Sequence, residues 1–157
     1  NALAHTAVNL CQAQLAACNI RVQTDFANDV RPVIGDSNQL LQVCLHIINS
    51  SLNAMAPTGG VLRATTRQEQ KTAVIEFSDD ATKSSGADKA LEASATPRPN
   101  GQVVGMGLNA CYGIVQEHNG KIHCQTRSGG GTNFRIELPC ATNSLVRKKH
   151  ASAMNQV

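Results

Sequence analysis

The 157-residue chain has no tryptophan, and its aromatic content is 3%. Its core must therefore be built mainly from Leu, Ile, Val and Ala. No apolar run approaches the roughly 18–20 residues that span a bilayer, and no basic stretch followed by an apolar one marks a secretion signal. Charge is sparse as well, at 16%. With 41% hydrophobic residues the composition is that of a folded globule rather than a disordered tail. The net charge of +3 gives no reason to expect nucleic acid as a partner. The six cysteines contain no C-x-x-C pair, which argues against a zinc site or a disulfide framework. Reduced cysteines used as small hydrophobes predict a cytoplasmic setting. Asn1 rather than Met at the start is the expectation for a piece of a longer protein.

Periodicity divides what is present. Leu3, Ala7, Leu10, Ala13 and Ala17 recur at helical spacing, and Ile20 and Val22 then alternate with Arg21 and Gln23 as in a half-buried strand. Gly35-Asp36-Ser37 supplies a turn and an N-cap candidate. From there Leu40, Val43, Cys44, Ile47, Ser51 and Met55 line one helical face, closed by Pro57 and Gly59-Gly60. Strands are predicted over Val61–Thr66 and Thr72–Phe77, joined by the polar segment Arg67–Lys71. A second helix is predicted over Leu108–His118, with Asn119-Gly120 as a left-handed cap. Lys121–Thr126 and Thr132–Leu138 form a further hairpin around Ser128-Gly129-Gly130-Gly131. Helices from both halves then cover one face of a mixed, mostly antiparallel sheet: an α+β, two-layer sandwich. Residues 80–104, rich in Ser, Ala and Gly, read as a mobile lid or binding loop with a short helix over Ala87–Ser94. The domain takes residues 1–140. Residues 141–157 form a flexible tail carrying the basic cluster Arg147, Lys148, Lys149 and His150.

Several separated pieces carry a resemblance. Gly35-Asp36 leads through Gln39–Val43 into Leu45-His46-Ile47-Ile48-Asn49-Ser50-Ser51-Leu52-Asn53-Ala54-Met55. Val74-Ile75-Glu76-Phe77-Ser78-Asp79-Asp80 ends a strand on a carboxylate. Gly105-Met106-Gly107-Leu108 opens the helix Cys111–His118, and Gly129-Gly130-Gly131-Thr132-Asn133-Phe134 runs to Leu138-Pro139. In this order they resemble the ATP-binding catalytic domain of sensor histidine kinases. That domain belongs to the GHKL superfamily, shared with DNA gyrase and the heat-shock chaperone ATPases, and has the Bergerat-type fold.

The resemblance implies a role for each piece. Asp79 corresponds to the residue that accepts the adenine amino proton. The bland alternative for it is a strand-end turn residue. His46 and Ser50 occupy the polar and magnesium-ligating positions of the N-box helix, His46 as the candidate catalytic residue. Ser50 replaces an asparagine whose amide oxygen ligates Mg²⁺, and a hydroxyl is a shorter, weaker ligand. Asn49, turned about 100° away from Ser50, is expected to face away from the cleft, while Asn53 approaches its edge. Gly105 and Gly107 hold two positions of the family's glycine-rich lid hinge. They either cradle phosphate at a helix N-terminus or simply permit a tight turn. Thr132 follows the closing glycines as a further nucleotide-binding candidate.

The sequence also departs from the family. The glycines after the adenine-reading Asp are replaced by Asp80-Ala81-Thr82-Lys83, where a Cβ opposes positive φ. The aromatic clamp of the lid is absent from Leu91–Arg98. His5 lacks the acidic neighbour and following proline of a phosphoacceptor and reads as a surface residue. By resemblance the cofactors are ATP and Mg²⁺, with weakened or lost binding expected. The partners implied are a dimerisation and phosphoacceptor domain, in the same chain or another, and a response regulator. No membrane is expected in this stretch. The alternative function is a pseudo-ATPase interaction module, or one associated with histidine phosphotransfer, that does not use ATP productively.

Overall fold

Asn1 anchors the start of the first helix without capping it. Its side-chain amide donates to the Ala27 carbonyl at 2.6 Å and accepts from Thr66 Oγ1 at 2.6 Å. A computed structural model of the chain describes residues 1–81 and 106–141, so the lid expected at 80–104, its short helix and the flexible tail lie largely outside the described residues. Helix α1 (Ala2–Ala17) buries Ala4, Ala7, Val8, Cys11 and Leu15, a stripe spaced three and four residues apart. Strand β1 (Ile20–Phe26) follows. Helix α2 (Ser37–Met55) begins where Asp36 accepts from the N–H groups of Asn38 and Gln39. That is the side-chain cap its sequence predicts.

Strands β2 (Gly60–Glu69) and β3 (Thr72–Asp79) form a hairpin. The expected polar connection at Arg67–Lys71 shrinks to Gln70-Lys71, with Gln70 at φ 51. Arg67 and Glu69 belong to the strand instead. They lie on the sheet face that none of the described helices covers, where cross-strand charge pairs are favourable. Arg67 Nη2 donates to Glu76 at 2.9 Å, and Arg135 bonds both Glu69 and Glu137, at 2.6 and 2.7 Å.

Helix α3 (Met106–Glu117) starts two residues earlier than expected. Asn119, at φ 55, supplies the left-handed residue after it. Strands β4 (Lys121–Thr126) and β5 (Thr132–Pro139) complete the sheet. Its order is β1-β2-β3-β5-β4, with β1 parallel to β2 and all other pairs antiparallel. The helices pack on one face, α1 on β1 and β2, α2 on β3, and α3 on β4. This is the two-layer α+β sandwich the sequence predicts.

Of the expected core, Leu40, Ile47, Val115, Ile122 and Phe134 join one cluster with Phe77, Ile75 and Ile136. Val74 is buried too, but strand alternation sends it to the other face from Ala73 and Ile75. There it lies between its cross-strand neighbours Arg67 and Glu137. The placement of the Leu108 side chain lies outside the description. None of the six cysteines forms a disulfide in the structure.

Candidate functional site

Asp79 is the last residue of β3, directly across from Leu62 on β2. Its side chain alternates inward with Ile75 and Phe77, so a carboxylate is carried to the end of an otherwise apolar row. It is 1% exposed. Such a group is stable in that position only if it is hydrogen-bonded, and three donors reach it. Its Oδ1 accepts from the backbone N–H of Thr132 at 3.0 Å and of Ala81 at 3.3 Å. Its Oδ2 accepts from the Ser51 hydroxyl at 2.7 Å.

Each donor is placed by a different part of the fold. Thr132 opens β5, one residue before the pair Ser78 and Asn133, and follows a turn in which the Arg127 N–H donates to the Gly131 carbonyl and the Gly130 N–H to the Arg127 carbonyl. Gly131 (φ +83) lies so near the chain that an added Cβ would fall 2.1 Å from the Asp79 carbonyl oxygen. No other residue type fits that approach. Ala81 is buried and its N–H folds back on the Asp79 carboxylate. It is not among the residues with positive φ, which apart from glycines are Asn19, Gln70 and Asn119 among the described residues. The Cβ of Ala81 therefore meets no positive φ here, and the chain turns at Asp79 by a side-chain bond instead. Asp80 faces outward and accepts from the Val61 N–H at 2.7 Å, tying the end of β3 to the start of β2.

Ser51 is the member that motif comparison passed over. Its signal was nevertheless in the periodicity: it is the one hydroxyl on the buried stripe between Ile47 and Met55. A serine in such a row needs a partner, and the strand-end Asp79 supplies it.

The other predicted residues lie on α2 around this pair. His46 and Ser50 are half-buried, one turn apart, and Asn53 is exposed, as is Asn49. Their side chains have no hydrogen-bond partner among the described residues. Thr132 is brought to Asp79 through its backbone. Gly107 lies in the first turn of α3, and Gly105 lies outside the described residues. His5 is exposed, bonded to Asn9 and tilted against Phe26, as a surface residue should be. A cavity of about 220 Å³ lies at the far end of the sheet, against Leu3, Pro32, Leu40 and Ile75, and includes none of the predicted site residues.

Residues 35–142 match the family described as histidine kinase-, DNA gyrase B- and HSP90-like ATPases. The chain belongs to that family. This histidine-kinase-like ATPase domain is 29% identical over 144 residues to sporulation kinase E of Bacillus subtilis (strain 168), covering 90% of this chain and 19% of that kinase. It is 30% identical over 156 residues to the sensor kinase CckA of Brucella abortus (strain 2308), covering 88% of this chain and 16% of that protein. The chain therefore spans less than a fifth of either relative. Its fold is that of the catalytic domain of histidine kinase ThkA, with a TM-score of 0.73 at 21% identity over 88% of this chain and 90% of that one. The domain is thus of the catalytic type found in the sensor kinases of two-component signalling. No helix among the described residues is long and apolar enough to cross a membrane.

Proposed function

We propose that this domain binds ATP through Asp79 and serves as the phosphoryl-donor part of a cytoplasmic histidine kinase. The observation that carries the reading is the buried Asp79 carboxylate. Three donors fix it in one plane, and a carboxylate offers about four lone-pair sites. One acceptor position on Oδ2 is thereby left for a ligand N–H, which suits the exocyclic amino group of adenine. The partners would be a phosphoacceptor histidine on a dimerisation domain, in the same or a second chain, and a response regulator downstream.

The residues fit the base better than the metal. Magnesium takes oxygen ligands at short, near-octahedral distances and keeps several waters. The Ser50 hydroxyl ends one bond short of the amide oxygen it replaces. Among the described residues no group of three or more His, Cys, Asp or Glu side chains gathers to hold a metal ion. Ser50 is therefore suited to a water-bridged contact, and no step is assigned to the ion. His46, one turn before Ser50 on the same helix face, is the candidate for orienting the reacting phosphate. Catalysis of phosphoryl transfer rests mainly on such positioning and on charge stabilisation. Asn53, Gly105, Gly107 and Thr132 complete the proposed nucleotide contacts.

Calorimetry with ATP and ADP, each with and without Mg²⁺, tests the reading. Binding with Kd around 1 mM, about −4 kcal/mol, and little gain from Mg²⁺ is expected. Ser50→Asn should increase the metal dependence modestly. Low-micromolar binding that requires Mg²⁺ would show a fully competent kinase site. No binding of either nucleotide at millimolar concentration would favour the second reading, a docking module that keeps the fold without using ATP. The substitution at Ser50 is the observation on its side.

A further inference from the structure

We propose that Ser51 is a positioning residue for base recognition, presenting Asp79 to a 6-amino purine; this rests on the reading of Asp79 given above. Ser51 is 0% exposed, and its neighbours one turn away on the stripe, Ile47 and Met55, are equally buried. A hydroxyl in such surroundings costs free energy unless it is bonded. Its hydrogen bond is the one to Asp79 Oδ2 at 2.7 Å.

The geometry gives that bond a consequence for selectivity. Both backbone donors, Thr132 and Ala81, fall on Oδ1. Without Ser51 the carboxylate would be held on one oxygen and free to tilt about it. With Ser51 the plane is fixed, one lone pair of Oδ2 is used, and the other is left in a defined direction. That remaining Oδ2 lone pair suits one N–H of an amino group. A 6-oxo purine would need a donor there, and the Ser51 O–H is already given to Asp79. Ser51 comes from a helix and Asp79 from a strand, so helix-to-sheet packing sets the spacing of the pair.

Three diphosphates are titrated against the wild-type domain and Ser51→Ala: ADP, GDP and purine riboside diphosphate, which lacks the 6-amino group. In the wild type ADP should bind best. Ser51→Ala should weaken ADP roughly tenfold and leave purine riboside diphosphate unchanged. A residue that merely supports the fold would weaken both alike. In an Asp79→Asn background the same substitution should have no further effect on ADP. Should Ser51→Ala not fold, Ser51→Cys, a weaker donor of similar size, is measured instead, with a smaller selective loss expected. The two possible failures differ. A wild type that binds ADP no better than purine riboside diphosphate overturns the reading of Asp79 and this inference with it. A wild type that discriminates, with a Ser51 variant that discriminates equally, overturns the role of Ser51 alone.

Discussion

The backbone N–H of Asp36 donates to Nε2 of His118 at 2.9 Å, joining the start of α2 to the residue that follows α3. The other ring nitrogen, Nδ1, lies 2.7 Å from the Ile114 carbonyl oxygen, to which it donates. The imidazole thus satisfies one orphan donor at a helix start and one carbonyl at a helix end.

Gly35 is held against that ring. A Cβ added there would fall 2.3 Å from the His118 Cδ2 atom. Gly35→Ala must displace the imidazole and break its bond to Asp36, and the expected loss is about 1–2 kcal/mol. His118→Ala should cost a similar amount. The double variant should cost less than the two added together, because both remove the same contact. Urea unfolding of the three variants checks this.

The glycine turn before Thr132 offers a matched pair. Gly131→Ala should destabilise the domain by about 2 kcal/mol or more, through the clash with the Asp79 backbone and the cost of φ +83 for an L side chain. Gly129→Ala should be close to neutral, since its added Cβ meets nothing within 4 Å. Urea midpoints for the two variants should differ accordingly. Gly131→Ala should also weaken any ligand held by Asp79.

Acid should act on the open face of the sheet. Arg135 first and Arg67 second hold the exposed Glu69 carboxyl down at about 2, from an ordinary 4.5. Burial pushes the Glu76 carboxyl up, but its bonds to Arg67 and Arg135 more than offset this and leave it below the ordinary value. Both carboxyls are thus depressed in the folded state. Their stabilising contribution is complete above pH 4.5 and is lost as pH falls toward 2. Glu76→Gln should cost about 1–2 kcal/mol at pH 7. It should also flatten the loss of stability between pH 4.5 and 2, measured by urea unfolding across that range.

The cysteines should divide by reactivity. Burial pushes the Cys44 thiol up to about 12 and the Cys111 thiol up to about 11. At pH 8 iodoacetamide should label these two about a hundredfold more slowly than the half-buried Cys18 and Cys140. Unfolding in urea should abolish the difference. Mass spectrometry of timed reactions distinguishes the sites.

Where a residue's local pattern coincides with its structural duty, the sequence announces the structure. The stripe from Leu40 to Met55, the Asp36 cap and the strand Lys121–Thr126 are visible in this way, because periodicity and capping act over a few residues. Arg67 and Glu69 read as a connection for the opposite reason. Their charges look like a loop until Glu76 and Arg135, from two other strands, supply partners. Ser51 shows both sides of this. Its place on the buried stripe was readable, but its partner lies 28 residues away and no local spacing connects them. Ala81 stands where the family has glycine, and its hydrogen bond to Asp79 makes the turn without positive φ, which local sequence does not reveal.

Two of the three donors on Asp79, Ser51 and Thr132, come from segments far from it in the chain. Ser51 is separated from it by 28 residues and Thr132 by 53. The β3–β5 pairing that delivers Thr132 closes a loop far longer than either hairpin, and such closures form after local contacts. A fragment that lacks Ser51 or Thr132 therefore cannot hold this carboxylate with all its donors. Occupancy at Asp79 and cohesion of the whole sheet are one equilibrium, so any ligand bound there raises the melting temperature of the domain as a unit.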